Sequence, residues 1–402
     1  MKPSTDTMRF FTTLIVSFFL TAFTAYSASI SGTVLDAVSG KPLEFASVFI
    51  SGTTFGTNTR SDGTFTLTFT PSGSSQLVIA YLGYETFTKN VSELPTDQSL
   101  RVGMTVKSVQ IASVNVFAKD SNRKKNMAEF LFGFFGDSEF GKQCSILNPY
   151  VLHLMRKPVP GKIGQDQLVA TADSDLYIDN KLLGYTIRYT LESFVQSKYA
   201  ISFKGYPLYI DNLSGIKNKE KTLAYRERAY LGSQMHFFRS LYTKTLELEG
   251  FKVYKVDKAQ ILPMTSGRFG LLSDSVFVPE PNKRMMQTEK PLNLYDYMFQ
   301  MDKSVALLYN EPFEVRYTLN GEDKAYSKNS IYYIGMTRTL GQQTSLAMLE
   351  NNSVIFYPNG ACKNAGSLTT IGYWSFKKAA EIMPWDYQPA KTAKEVVTLR
   401  KH

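Results

Sequence analysis

The chain has 402 residues, 43% hydrophobic and 13% aromatic, enough to bury a large core and to build more than one domain. Its formal charge of +10 favours anionic partners or surfaces, but no nucleic-acid motif accompanies that charge, which argues against nucleic acid. Among its three histidines no H-E-x-x-H occurs, and His153 is followed by Leu154-Met155-Arg156, which excludes a zinc-peptidase site of that kind.

At the amino terminus Lys2 and Arg9 precede an almost wholly apolar run over residues 10–23, and Ala25-Tyr26-Ser27 follows with small residues at the two positions a signal peptidase reads. This three-part plan predicts a secretory signal over 1–27. The run is shorter than the ~20 residues a spanning helix needs, so an uncleaved anchor is the less favoured alternative. No cysteine follows to carry a lipid. The mature chain is therefore expected to be exported, without a transmembrane helix, in the periplasm or associated with the outer membrane.

Residues 28–118 read as a small β-sandwich. Residues 33–35 and 46–50 are β-branched and apolar, and Thr64-Phe65-Thr66-Leu67-Thr68-Phe69 alternates strictly, placing Phe65, Leu67 and Phe69 on one face. Leu77-Val78-Ile79-Ala80-Tyr81 suits a more fully buried strand. Ser39-Gly40 and Asp62-Gly63 turn the chain, and Pro42 belongs at a strand start or edge. The stretch carries a net charge of −1, so the whole basic excess falls in residues 119–402. A generally basic solvated surface is the plain alternative to an anion-binding role there.

Gly32, Val34, Asp36, Gly40, Pro42, Leu43, Ala46, Val48, Gly52, Thr53, Gly56, Thr59, Gly63, Phe65, Gly83 and Tyr84 follow the pattern of the carboxypeptidase regulatory-like domain, which this stretch resembles. The resemblance implies a transthyretin-like (Ig-like) sandwich and an interaction role. It implies no peptidase activity, because in the enzymes that gave the module its name a separate domain carries the zinc. The first aspartate of the family's D-x-x-G-x-F falls on Arg60 here, which departs from the pattern. The stretch is also similar to the N-terminal extension of TonB-driven outer-membrane receptors, and residues 109–116 resemble the strand that follows it there. The remaining chain is too short for a receptor's plug and barrel.

Residues 119–126 are polar and basic and read as a linker. Met127, Phe130, Leu131, Phe134 and Phe135 then recur at helical spacing, with Gly136 as a stop. A core-facing stripe is the favoured reading, and a membrane-lying face the alternative. Residues 127–402 are expected to form an α+β domain with antiparallel sheet. Strands are expected at 187–191, 199–203, 331–334 and 354–357, with a half-buried alternating strand at 313–319. Helices are expected at 226–242 and 376–383, the latter stopped by Pro384, and 278–284 reads as loop.

Candidate chemistry in this region is sparse. Gly136-Asp137-Ser138 resembles the first block of one hydrolase family, but the late D-x-x-H of that family would need an aspartate where Leu399 stands. Asp173-Ser174-Asp175 with Asp179 lacks the glycine and glutamate of a calcium loop. No catalytic residue, metal ligand or cofactor is therefore assigned. Cys144 and Cys362 are expected either as a disulfide or as two buried thiols. On one continuous helix Arg228, Gly232, His236 and Arg239 would share a side, where two guanidinium groups flanking an imidazole suit a carboxylate, phosphate or acidic sugar. A surface stripe paired with neighbouring carboxylates is the alternative. The resulting expectation is a non-enzymatic envelope protein that binds an envelope protein or an anionic glycan or lipid surface. The alternative is an envelope enzyme acting on glycan or peptide.

Overall fold

A computed structural model of the chain describes residues 27–71, 73, 75–94, 99–107, 122–161, 164–198, 200–256, 263–265, 275–277, 287–328, 341–364 and 366–390. The leader, the strand expected at 109–116, the strand at 331–334 and the loop at 278–284 lie outside the described residues.

The first domain is the expected sandwich. Its strands are β1 (Ala28–Asp36), β2 (Ser47–Ile50), β3 (Gly56–Asn58), β4 (Thr64–Phe69), β5 (Gln76–Ala80), β6 (Phe87–Asn90) and β7 (Leu100–Met104). One sheet runs β4-β1-β7 and the other β3-β2-β5-β6, with β1 and β7 parallel and the remaining pairs antiparallel. Phe65, Leu67 and Phe69 point inward as their alternation requires and meet Val34, Val48, Leu77, Ile79 and Val102. Gly63 turns into β4 at φ +76, and a Cβ there would sit 2.6 Å from the Val34 carbonyl oxygen, so only glycine fits this turn. Asp36 closes the far end of β1 by accepting from the Val38 and Ser39 amides, the Ser39 hydroxyl and the Tyr84 hydroxyl. Strand β2 is buried on both faces. Its outward Phe49 joins Val78 and Ala80 in a small cluster with Leu208 of the second region.

Helix α1 (Arg123–Phe135) begins inside the segment expected to be a linker, so the basic residues Arg123, Lys124 and Lys125 form its first turn. Its apolar stripe faces the core: Phe130, Phe134 and Phe135 are buried, and Gly136 ends the helix at φ +78. Phe130 lies 4.6 Å from Phe194, and Phe134 5.2 Å from Tyr189 and 5.0 Å from Phe203, ring to ring. These partners sit on a sheet of β8 (Cys144–Ile146), β9 (Leu152–Pro158), β10 (Asp166–Ala172), β11 (Leu176–Asn180), β12 (Tyr185–Gln196) and β13 (Ile201–Asp211). Its order is β8-β11-β12-β10-β9, and β13 pairs with β12 through a bulge at Leu191/Ser193.

The expected helix at 226–242 is two helices, α2 (Lys219–Tyr230) and α3 (Gln234–Tyr242). Gly232 breaks them apart at φ +73, and the Ser233 hydroxyl then caps α3 by accepting from the His236 amide. The chain continues through β14 (Phe251–Val256), β15 (Pro263–Thr265), β16 (Ser275–Phe277), β17 (Gln287–Pro291), β18 (Met298–Gln300), β19 (Val305–Leu308), β20 (Phe313–Tyr317), β21 (Gln343–Leu349), β22 (Ser353–Phe356) and β23 (Leu368–Gly372). Antiparallel sheets of order β17-β14-β20-β21-β23 and β18-β19-β22 result, with β15 and β16 as a hairpin. The region is α+β, and one apolar core runs from Phe130 to Met383 across both large sheets.

Two further expectations are corrected here. Strand β20 is buried on both faces rather than half-buried: Glu314 and Arg316 pair with each other, and the Arg316 guanidinium lies 4.2 Å from the Tyr254 ring centre. Polar residues at alternate positions resemble a wet face in sequence, but here each charge carries its own partner into the interior. The helix expected at 376–383 is replaced by a short helix α4 (Tyr373–Phe376) and a separate 3-10 turn (Ala379–Glu381). The chain breaks between them where Lys377 reaches back to the Ala229 and Leu231 carbonyls at the end of α2. Among the described residues no helix is long and apolar enough to cross a membrane.

Candidate functional site: the cavity where sandwich and body meet

The loop after β2 is short, glycine-bearing and rich in hydroxyls, and it docks the sandwich on the second region. The Gly52 amide donates to the Pro207 carbonyl (2.7 Å), and the Tyr209 amide to the Thr53 carbonyl (2.9 Å), so the loop runs beside β13. The Trp385 amide donates to the Gly52 carbonyl (2.7 Å). Thr54 donates from its amide to Asp386 Oδ1 (3.0 Å) and from its hydroxyl to Asp386 Oδ2. A Cβ on Gly52 would overlap the indole of Trp385, so the residue must be glycine for the ring to approach the loop this closely.

Between these contacts lies a cavity of 520 Å³, within the range of roughly 300–1,000 Å³ in which small-molecule sites fall. Ser51, Gly52 and Gln76 come from the sandwich, and Lys204, Tyr206 and Tyr209 from β13. Ile178, Ile187 and Tyr189 come from the sheet behind, Phe135 from the end of α1, and Gln234 and Phe238 from α3. Residues 360–364, 366–368 and several of 379–385 complete it, contributing Lys363, Asn364, Ser367, Leu368, Met383 and Trp385 among others. The wall is mainly aromatic and aliphatic. Its charged side chains among the described residues are Lys204 and Lys363; no carboxylate or imidazole lines it. Lys204 donates to Glu192 (2.9 Å), which stands off the cavity wall.

Both cysteines of the chain line this cavity. In this structure both are free thiols, partly exposed. Cys144 opens β8 and Cys362 pairs with Phe356 in an isolated bridge. Burial pushes both thiols up to about 12, with Asp179 and Glu381 adding to the rise at Cys144. A thiol held protonated is a weak nucleophile. Tyr206 is likewise pushed up to about 12, by burial first and by its hydrogen bond to Glu192 second. Among the described residues the cavity thus carries polar and cationic binding groups, with no carboxylate or imidazole in its wall.

The four residues expected to share a helix side are not brought together as one anion site. Arg228, on α2, pairs with Glu139 (2.6 Å) and lies 4.6 Å from the Phe140 ring centre. Gly232 is the break. His236, on α3, is only 2% exposed and boxed by Tyr230, Phe251 and Tyr317. Its Nδ1 accepts from the Gly232 amide (3.1 Å), and its Nε2 faces Glu249 (3.2 Å), which fixes the neutral Nε2–H tautomer. Arg239 spends its guanidinium on three backbone carbonyls, those of Asn359, Trp385 and Tyr387. The helical spacing behind the expectation fails because the φ of Gly232 rotates α3 away from α2.

Other candidates are also accounted for. Ser138 is 1% exposed and accepts from the Gly141 amide. Asp175 pairs with Arg188 and accepts from the Thr190 hydroxyl, and Asp173 pairs with His153. No group of three or more metal-binding side chains occurs among the described residues. Sequence reasoning missed the cavity, because its walls come from distant segments. The single local signal was Gly52, whose match to the module's pattern marked a loop that something approaches closely.

Residues 30–118 match the family of the CarboxypepD_reg-like domain, so the sandwich is such a domain, covering roughly a fifth of the chain. No curated protein matches the chain.

Proposed function

We propose that this is an exported protein of the cell envelope that binds rather than catalyses. The sandwich serves as its interaction module and the basic second region holds the ligand. The observation that carries this reading is the cavity's construction: sandwich loop and body share its wall, which among the described residues is mainly apolar with two lysines. Occupancy would therefore bear on how the sandwich is seated, which suits a module that meets a partner. Export is supported by the basic start, apolar run and Ala25-Tyr26-Ser27 of the leader. The basic excess beyond residue 118 supports an envelope protein, or an anionic glycan or lipid surface, as partner.

Three measurements test it. Mass analysis of material from the envelope fraction should give a chain beginning near Ala28; intact leader on cytosolic material would refute export. Crosslinking of the full mature chain in cells should capture a defined envelope partner, lost when Gly52→Val unseats the sandwich. Turnover of a cell-wall glycan or peptide by the purified chain would replace binding with catalysis.

A further inference from the structure

The wall of the junction cavity divides by chemistry. Phe135, Ile178, Phe203, Phe238, Leu368 and Met383 make it apolar, with no polar atom for a sugar or peptide backbone to bond among those six side chains. The fixed charges that line it are both positive, Lys204 and Lys363. Lys363 has no ion pair among the described residues, while Lys204 shares Glu192 near the surface, where both groups are more than a third exposed. Neutral amides and a hydroxyl, from Gln76, Gln234, Asn364 and Ser367, supply donors beside them. An apolar body carrying an anionic group satisfies both kinds of lining residue; a neutral lipid leaves the lysines unused, and a polar solute leaves the apolar side chains uncovered.

We propose that the cavity takes an amphipathic anion, a carboxylate- or phosphate-headed molecule with an acyl body, its charge matched by the lining lysines Lys204 and Lys363 and its chain against the apolar side chains. This rests on the reading of the protein as a binder and names the class of ligand it holds.

The chain's two tryptophans make a direct test. Trp385 lines the cavity, whereas Trp374 lies away from it with its indole N–H on the Gly232 carbonyl (2.8 Å). Titrating the full mature chain with 9,10-dibromostearate below its micellar concentration should quench Trp385 saturably, and Trp385→Phe should abolish the quenching. The neutral methyl ester should bind at least fivefold more weakly, and Lys204→Glu with Lys363→Glu should weaken the acid by a similar factor while leaving the ester unchanged. A brominated lysophosphatidic acid distinguishes the sources: tighter binding than the fatty acid marks a phospholipid head, the reverse a free acid. Competition by unbrominated stearate, read as recovery of the Trp385 emission, reports the same occupancy. Equal binding of acid and ester overturns the anion, and absence of saturable quenching overturns the amphiphile. In that last case native mass spectrometry of envelope-purified chain separates the two readings. A retained small molecule of another class leaves the binding reading intact, and an empty chain with no captured partner removes both.

Discussion

His236 shows how far a residue's setting can depart from its sequence context. Flanked by arginines, it reads as part of a cationic patch; folded, it is an aromatic-boxed acceptor for the Gly232 amide. Burial lowers its proton affinity below the ordinary value of 6.5, Lys377 and Arg239 add to the lowering, and Glu249 opposes it. The unfolded chain therefore takes up a proton at a higher pH than the folded one. His236's contribution to stability is complete above about pH 6.5 and declines as pH falls from there toward the folded pKa. The thermal midpoint is expected to drop between pH 7 and pH 5, and His236→Gln should flatten that slope; an unchanged slope would place the acid sensitivity elsewhere. The buried pair on β20 invites a second substitution. Glu314→Gln leaves Arg316 without its carboxylate and should cost about 3–5 kcal/mol, whereas Glu314→Leu with Arg316→Met should cost much less. Chemical denaturation of the single and double variants would check the contrast.

At the scale of elements, local pattern was a good guide wherever one face is buried and the other wet. β4 and α1 emerged with the inward residues their periodicity implies. The pattern misled where tertiary packing covers both faces, as on β20, and where one glycine's dihedral decides between a long helix and two short ones. Gly232 and Gly83 make a matched test of that second point, since both have positive φ, +73 and +84. A Cβ at Gly83 meets nothing within 4 Å, while at Gly232 it would lie 2.7 Å from the Tyr317 ring and overlap Gln343. Gly83→Ala should therefore cost about 1–2 kcal/mol, the intrinsic penalty of the left-handed region. Gly232→Ala should cost about 2–4 kcal/mol, because overpacking is added. Equal losses in denaturant titrations would show that the crowding at Gly232 relaxes.

At the scale of the molecule, the first domain was legible and the site was not, for one physical reason. The sandwich is built from pairings within one stretch of about 90 residues that carries its own motif glycines, whereas the cavity needs segments near residues 52, 204, 234, 363 and 385 to converge. The clamp between Thr54 and Asp386 is equally long-range. Thr54→Val with Asp386→Ala, or Gly52→Val alone, should leave the separate sandwich core intact but speed proteolysis between the two parts and enlarge the radius of gyration in solution scattering. An unchanged radius would mean that the cluster of Phe49, Val78, Ala80 and Leu208 suffices to hold the two together. Arg239 gives this arrangement a direction in time. By gripping the Trp385 and Tyr387 carbonyls from α3, it positions the clasp that fastens the front module. Those clasp residues are synthesised more than 300 positions after the loop they hold. A chain emerging from the ribosome would thus complete its sandwich early, meet β13 next, and be locked in place only when Trp385 and Asp386 arrive.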